Sequence, residues 1–361
     1  MIYHRYLVLW IAFLWSLASI SATPAVQCNN EFHNQESVAA SAKSARKMLE
    51  KHDNSIPMGD RMVINILFSR GFQHGHNFQH RLQFLKCALL KLKLNLMGNT
   101  TADVFIWTLN NDEIKPAIPH WINSDLLPRV HVIDIPEQTW RIPCGLKPDS
   151  EWVTRNKFDV DYYMMGRWRL AFSHDFAREM GYGYHLQFDD DAMLNGALGY
   201  DVVADLKKKD IHMGVFSDHI GEVAHVTLGL PELTRYWMTI NNFQPVGELF
   251  ARCNPHDMNG VTSAGWDRYY HPGYFLITKV EFWFQPHIQD YLTTVFRSGR
   301  DIEGRWQEQA VINMMRLVFV AQKNLLVMED VDVGHDRHNR KNFEAWCINP
   351  GIIKEGEEHY K

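Results

Sequence analysis

Tyr182-Gly183-Tyr184-His185-Leu186-Gln187-Phe188-Asp189-Asp190-Asp191-Ala192-Met193-Leu194 is the stretch on which the reading of this chain turns. Its first half, bounded by glycine, predicts a short buried strand, and the three aspartates fall where that strand ends and a loop begins. Three adjacent carboxylates repel one another, so a fold that keeps them together sets a cation or a group of donors opposite them. In an open α/β sheet the carboxyl end of a strand is also where ligands bind. Hard divalent ions such as Mg²⁺ or Mn²⁺ take oxygen ligands and bridge protein carboxylates to substrate phosphates. The triplet therefore points to a metal-diphosphate site. A solvated acidic turn is the other reading, and the aspartates alone do not choose between them.

Upstream, a helix is expected over 160–180, leading into this strand and carrying Tyr162, Arg167, Trp168 and Arg169 among its apolar positions. Before it, Met62-Val63-Ile64-Asn65-Ile66-Leu67-Phe68 has the length of a buried strand, and Leu82, Leu85, Leu89, Leu92 and Leu96 recur at helical spacing over 77–96. Two more strands are expected over 103–109 and 130–135. Downstream come a strand over 211–216, an irregular region with a helical piece over 232–241, and an aromatic-dense stretch ending in a turn at Pro272-Gly273. Helices over 282–296 and 310–319, a strand over 324–328 and a loop over 329–335 follow. Strands alternating with helices argue an α/β fold: a mostly parallel central sheet with helices on both faces, in a single large domain.

With 361 residues, 46% of them hydrophobic, the chain can bury a large core. A formal net charge of -5 gives no electrostatic case for nucleic acid or for an anionic membrane surface. After His4 and Arg5 the run over 6–20 is almost wholly apolar and gives way to Ser21-Ala22-Thr23-Pro24-Ala25, the layout of a secretory signal. Its length favours a cleaved peptide over a membrane span, with an uncleaved signal anchor as the alternative. Residues 1–22 are thus read as signal peptide or signal anchor, 23–60 as a stem or spacer with a short helix near 37–51, and 61–361 as the globular body. Asn99-Thr100-Thr101 is a glycosylation acceptor pattern. The five cysteines lack metal-type spacing; in an oxidising lumen one or two disulfides are expected, with one thiol left over and the pairing open.

Taken in order, several blocks together resemble the fungal Golgi α-1,2-mannosyltransferases. They are Tyr162-Tyr163-Met164-Met165-Gly166-Arg167-Trp168, then Tyr184 to Asp191, Phe282-Trp283, Arg305-Trp306-Gln307-Glu308, and Glu329-Asp330 through His335. That family reads YRHMCR plus an aromatic, YYWRVEPD, FF, RWGDAPVHS and DDIGYxH, and the intervals from Tyr162 to Asp189 and from Phe282 to His335 match without insertion. The likeness extends over roughly 129–335, with Trp140-Arg141-Ile142-Pro143 shared at its front. It implies a GT-A type, Rossmann-like nucleotide-sugar transferase, with 61–361 as its catalytic domain. GDP-mannose would be the donor, a glycan or glycoprotein the acceptor, Mn²⁺ or another divalent cation the cofactor, and the Golgi lumen or secretion the destination. Carried over residue by residue, Asp189 and Asp191 hold metal and diphosphate, and His335 falls on the family's closing metal-ligating histidine. Tyr162 and Arg167 line the donor site with Asp190. Glu308 stands where the RWGD block has its aspartate and faces the acceptor.

Each residue also has a plainer reading. His335 reads as a surface histidine, Arg167 as the partner of Asp161 or Asp175 on its own helix, and Tyr162 and Trp168 as core. One departure from the family matters most: its proposed nucleophilic glutamate falls on Leu276, which can neither form a glycosyl-enzyme bond nor act as a base. Glu281 or another carboxylate would have to substitute, or departure and attack would share one face. Two other functions stay open: an inactive sugar- or nucleotide-binding protein of the same fold, and a secreted metal-dependent hydrolase built on Asp189, Asp190, Asp191 and His335.

Overall fold

A computed structural model describes residues 34–50, 55–68, 78–109, 114–121, 129–147, 160–216, 221–304, 306–335, 340–348 and 351. The segment 1–22, expected to be a signal, lies outside them. The chain divides into a large unit, 32–142 with 146–361, and a small one, 1–31 with 143–145. Of the small unit only the turn at 143–145 is described; the rest concerns the large unit.

Nine strands are described: β1 (Met62–Phe68), β2 (Ala102–Thr108), β3 (Val130–Asp134), β4 (Tyr184–Asp189), β5 (Ala192–Leu194), β6 (Met213–Val215), β7 (Phe275–Lys279), β8 (Leu325–Val327) and β9 (Val333–His335). Seven form one sheet in the order β3-β2-β1-β4-β7-β6-β8, while β5 and β9 pair as a separate ribbon. Strands β1 to β4 run parallel, β6 runs parallel to β8, and β7 is antiparallel to both of its neighbours. The sheet is mostly parallel, as expected. Strand β7 is not foreshadowed by the sequence: its apolar run Phe275-Leu276-Ile277 is buried on both faces, shows no alternation, and follows directly on the turn at Pro272-Gly273.

The main helices are α1 (Gln35–Leu49), α2 (Phe78–Leu92), α3 (Val160–Leu170), α4 (Phe172–Met180), α5 (Leu230–Ile240), α6 (Pro286–Arg297) and α7 (Glu308–Phe319). Side chains alternate across β1, so Met62, Ile64, Ile66 and Phe68 join Leu82, Leu85, Leu89 and Leu92 of α2 in one core cluster. Val63 and Leu67 point to the other face and join Phe172, Phe176 and Met180 of α4. Val38, Ala42, Ala45 and Leu49 of α1 are buried in that same cluster, so residues 35–49 are part of the packed domain. A third cluster holds α5, α6 and α7 against Met213, Val215 and Leu276. The buried polar group on β1 is satisfied: Asn65 Oδ1 accepts from Trp107 Nε1 at 2.8 Å.

The expected helix over 160–180 is in fact two, divided at Ala171 (φ -114°, ψ -77°). Ser173 Oγ donates to Arg169 O at 2.7 Å, and His174 Nδ1 lies 3.0 Å from the same carbonyl. Side-chain bonds of this kind compete with the helical ladder and bend it. A disulfide joins Cys87 of α2 to Cys347, with Cα atoms 5.9 Å apart; Cys144 is also disulfide-bonded and Cys253 is a buried free thiol. No helix among the described residues is long and apolar enough to cross a membrane.

Candidate active site

The carboxyl end of β4 carries Asp189, and the chain turns through Asp190 and Asp191 into β5. The ribbon partner β9 then decides the site: Ala192 faces His335, Met193 faces Gly334 and Leu194 faces Val333 in antiparallel register. That pairing lays the end of the loop over 329–335 beside Asp191, across more than a hundred residues of chain. His335 Nε2 is 3.4 Å from Asp189 Oδ2 and 3.3 Å from Asp191 Oδ1, and all three potential ligand atoms lie within 4.8 Å of one another. The ring of Tyr274 stacks on the imidazole, with centroids 4.2 Å apart and planes 7° from parallel. Behind Gly334 the indole of Trp346 leaves no room for a side chain, since a Cβ there would meet it at 2.6 Å.

Charge holds this cluster together. Burial opposes ionisation of Asp189, yet Arg169 and then His335 outweigh it and keep the carboxyl well below the usual carboxylate range. Burial also opposes protonation of His335, but Asp189 and Asp191 hold its pKa up at about 10. Two carboxylate oxygens with one imidazole nitrogen form a donor set that an oxygen-preferring divalent cation such as Mn²⁺ accepts, so the residues fit a metal.

The remaining predicted residues are placed as follows. Glu308 begins α7 and is buried; its Oε1 accepts from Arg169 Nη1 at 2.8 Å, while Arg169 Nη2 donates to Asp189 Oδ1. Glu308 is therefore linked to the cluster through Arg169. Asp190 turns the other way, its Oδ2 2.5 Å from Arg81 Nη2 on α2. Burial, opposed by Arg81 and reinforced by Asp191 and Asp189, pushes its pKa up to about 6. Arg167 is engaged by Asp301 at 2.6 Å and lies over the Phe296 ring. Tyr162 donates its hydroxyl to Gln307 Oε1 at 3.1 Å, next to Glu308.

Sequence reasoning assigns no role to Arg169 or Tyr274, which touch the cluster directly. Leu276 is buried in the apolar cluster beside Gln187, so no carboxylate occupies that spot. Glu281 cannot replace it. Lys279 pairs with Tyr184 at the far end of β4, roughly 16 Å along the strand from Asp189, and Glu281 follows two residues beyond it, at the opposite end of the sheet's strands.

The mostly parallel seven-stranded sheet, with two carboxylates and a histidine gathered at the end of its central strand, has a GT-A type fold. No protein-family model matches this sequence, and comparison with curated proteins finds no match. Among solved structures the chain is similar to core-mannan synthase A (CmsA/Ktr4) of Aspergillus fumigatus in a Mn/GDP form. That match has a TM-score of 0.64 at 13% identity and covers 79% of this chain and 76% of that one. It is also similar to the mannosyltransferase Ktr4p of S. cerevisiae in complex with GDP, with a TM-score of 0.65 at 16% identity over 85% of this chain and 82% of that one.

Proposed function

We propose that this chain is a divalent-metal-dependent glycosyltransferase that moves mannose from GDP-mannose onto a glycan hydroxyl with retention, forming an α-1,2 linkage. The observation that carries this reading is the Asp189, Asp191 and His335 cluster at the carboxyl end of β4 in a GT-A type fold. Neighbours of that fold in Mn/GDP and GDP-bound forms support the choice of cofactor and donor. A cation held by Asp189, Asp191 and His335 would offset the charge that builds on the departing diphosphate. Glu308, tied to the cluster through Arg169, stands where the resemblance places the carboxylate that faces the acceptor. With an apolar Leu276 in place of a nucleophile, departure and attack share one face of the sugar.

The assignment to the lumen of the secretory pathway, by signal peptide or membrane anchor, draws support from the sequence of 1–22 and from the Cys87–Cys347 disulfide, a bond that persists in oxidising compartments. Asn99 is exposed, as a glycan acceptor requires.

GDP with Mn²⁺ is expected to raise the melting temperature of the wild type, and Asp189→Ala is expected to abolish the shift. Unchanged stabilisation of Asp189→Ala would sink the reading. The buried Leu276 favours one second reading, a donor-binding protein without transfer activity. Incubation with labelled GDP-mannose and methyl α-mannoside separates the two: the transferase forms a disaccharide, whereas the binder retains donor with neither transfer nor hydrolysis. The hydrolase reading asks for further ligands, and among the described residues the cluster holds only these three.

A further inference from the structure

Arg169 is almost fully buried and grips two carboxylates that come from different elements. One arm of its guanidinium donates to Asp189 Oδ1 on β4, and the other donates to Glu308 Oε1 at the start of α7. Each carboxylate thereby keeps one oxygen free of Arg169. Asp189 Oδ2 is turned to His335. Glu308 Oε2 is buried with no hydrogen-bond partner among the described residues, and it packs so closely on α3 that a Cβ at Gly166 would stand 3.0 Å from it. A buried carboxylate oxygen without a donor is costly, so its retention needs a reason beyond packing. A planar guanidinium is also a rigid fork, able to fix the orientation of two carboxylates at once where a lysine would act as a point charge.

We infer that Arg169 is a positioning residue that couples the cation site to Glu308. It orients Asp189 Oδ2 toward the cation site, holds Glu308 against α3, and shares one positive charge between the two carboxylates. The inference rests on the donor-site reading above and adds to it a defined interaction between metal and acceptor sides. Its consequence is specific. Removing the charge of Glu308 lets the guanidinium lean wholly on Asp189, which makes that carboxylate a poorer ligand, although Glu308 is not one of the metal-binding group.

The test is a titration of the full chain with Mn²⁺ alone, following free Mn²⁺ by electron paramagnetic resonance, for wild type, Glu308→Gln, Arg169→Lys and the double variant. Glu308→Gln is expected to weaken Mn²⁺ binding about three- to tenfold, and Arg169→Lys about ten- to a hundredfold, the range typical of groups that orient metal ligands. The double variant is expected to be no weaker than Arg169→Lys alone, because the coupling runs through that one side chain. Glu308→Gln within twofold of wild type, or fully additive losses in the double variant, overturns the coupling. Loss of melting temperature with unchanged Mn²⁺ affinity marks a merely structural ion pair and overturns it too. If Arg169→Lys does not fold, the near-isosteric Glu308→Gln decides by itself. A wild type that binds no Mn²⁺ overturns the donor-site reading and the coupling with it, an outcome distinct from binding that Glu308→Gln leaves unchanged.

Discussion

His335 shows how one side chain is tuned by what surrounds it. Burial alone would lower its pKa, but Asp189 and Asp191 raise it to about 10. A metal takes the neutral imidazole, so below that pKa each Mn²⁺ must displace a proton. Mn²⁺ affinity is therefore expected to climb with pH between 6.5 and 8.5, by up to about tenfold per pH unit. Replacing the imidazole in His335→Asn should flatten the slope as well as weaken binding; an unchanged slope in calorimetric titrations would place the proton elsewhere. At this scale the aspartates were legible because three in a row need opposing charge, and His335 because its interval matched a family pattern. Arg169 was not. It and Arg167 sit roughly 200° apart around a helix, and only packing tells which of them meets Asp189.

At the scale of the element, β4 carries a buried histidine on the same strand as Asp189. His185 has neither ring nitrogen hydrogen-bonded among the described residues, and its ring lies 4.4 Å from that of His174. Burial first, and then Arg169, lower its pKa from 6.5 to about 3. In that window the unfolded chain binds more protons than the folded one, so stability is full above about 6.5 and declines as the pH falls toward 3. The expected slope is up to about 1.4 kcal/mol per pH unit. Urea unfolding of wild type and His185→Leu at pH 7 and pH 5 checks this: the variant should lose less on acidification. The ribbon of β5 and β9 gives a second prediction. Gly334→Ala should push β9 off Trp346, shift His335, and weaken GDP–Mn²⁺ binding by about tenfold, as displaced ligands do. Circular dichroism should show the fold intact. Long strands and amphipathic helices were legible from period and run length, and the short β3, β6 and β8 lie within expected runs, whereas β5, β7 and β9 fall beside the acidic turns and the aromatic-dense stretch and were not read as strands.

For the molecule as a whole, the disulfide ties α2 on one face of the sheet to the segment over 340–348, whose Trp346 backs the ribbon that holds His335. Opening it removes a cross-link between residues 260 positions apart. Cys347→Ser is expected to cost about 2–5 kcal/mol of stability. It should also lower affinity for GDP with Mn²⁺ by more than any effect on a remote element such as α5. Equal affinity in the folded variant would show that the C-terminal segment does not support the site.

The alternation of long apolar runs with helical spacing determined, from sequence alone, a mostly parallel α/β sheet, and the crowded carboxylates marked where on it a cation could bind. Those signals are local, set by periods of two and 3.6 residues and by repulsion between neighbours. The resemblance named His335, but its meeting with the aspartates and the part played by Arg169 were decided only by tertiary structure. The three-residue pairing of β5 with β9 brings in His335, and the break after α3 accompanies the placement of Arg169 between Asp189 and Glu308. Contacts between elements far apart in the chain arise from packing and from the pairing of buried charges, which leave no period in the sequence to read.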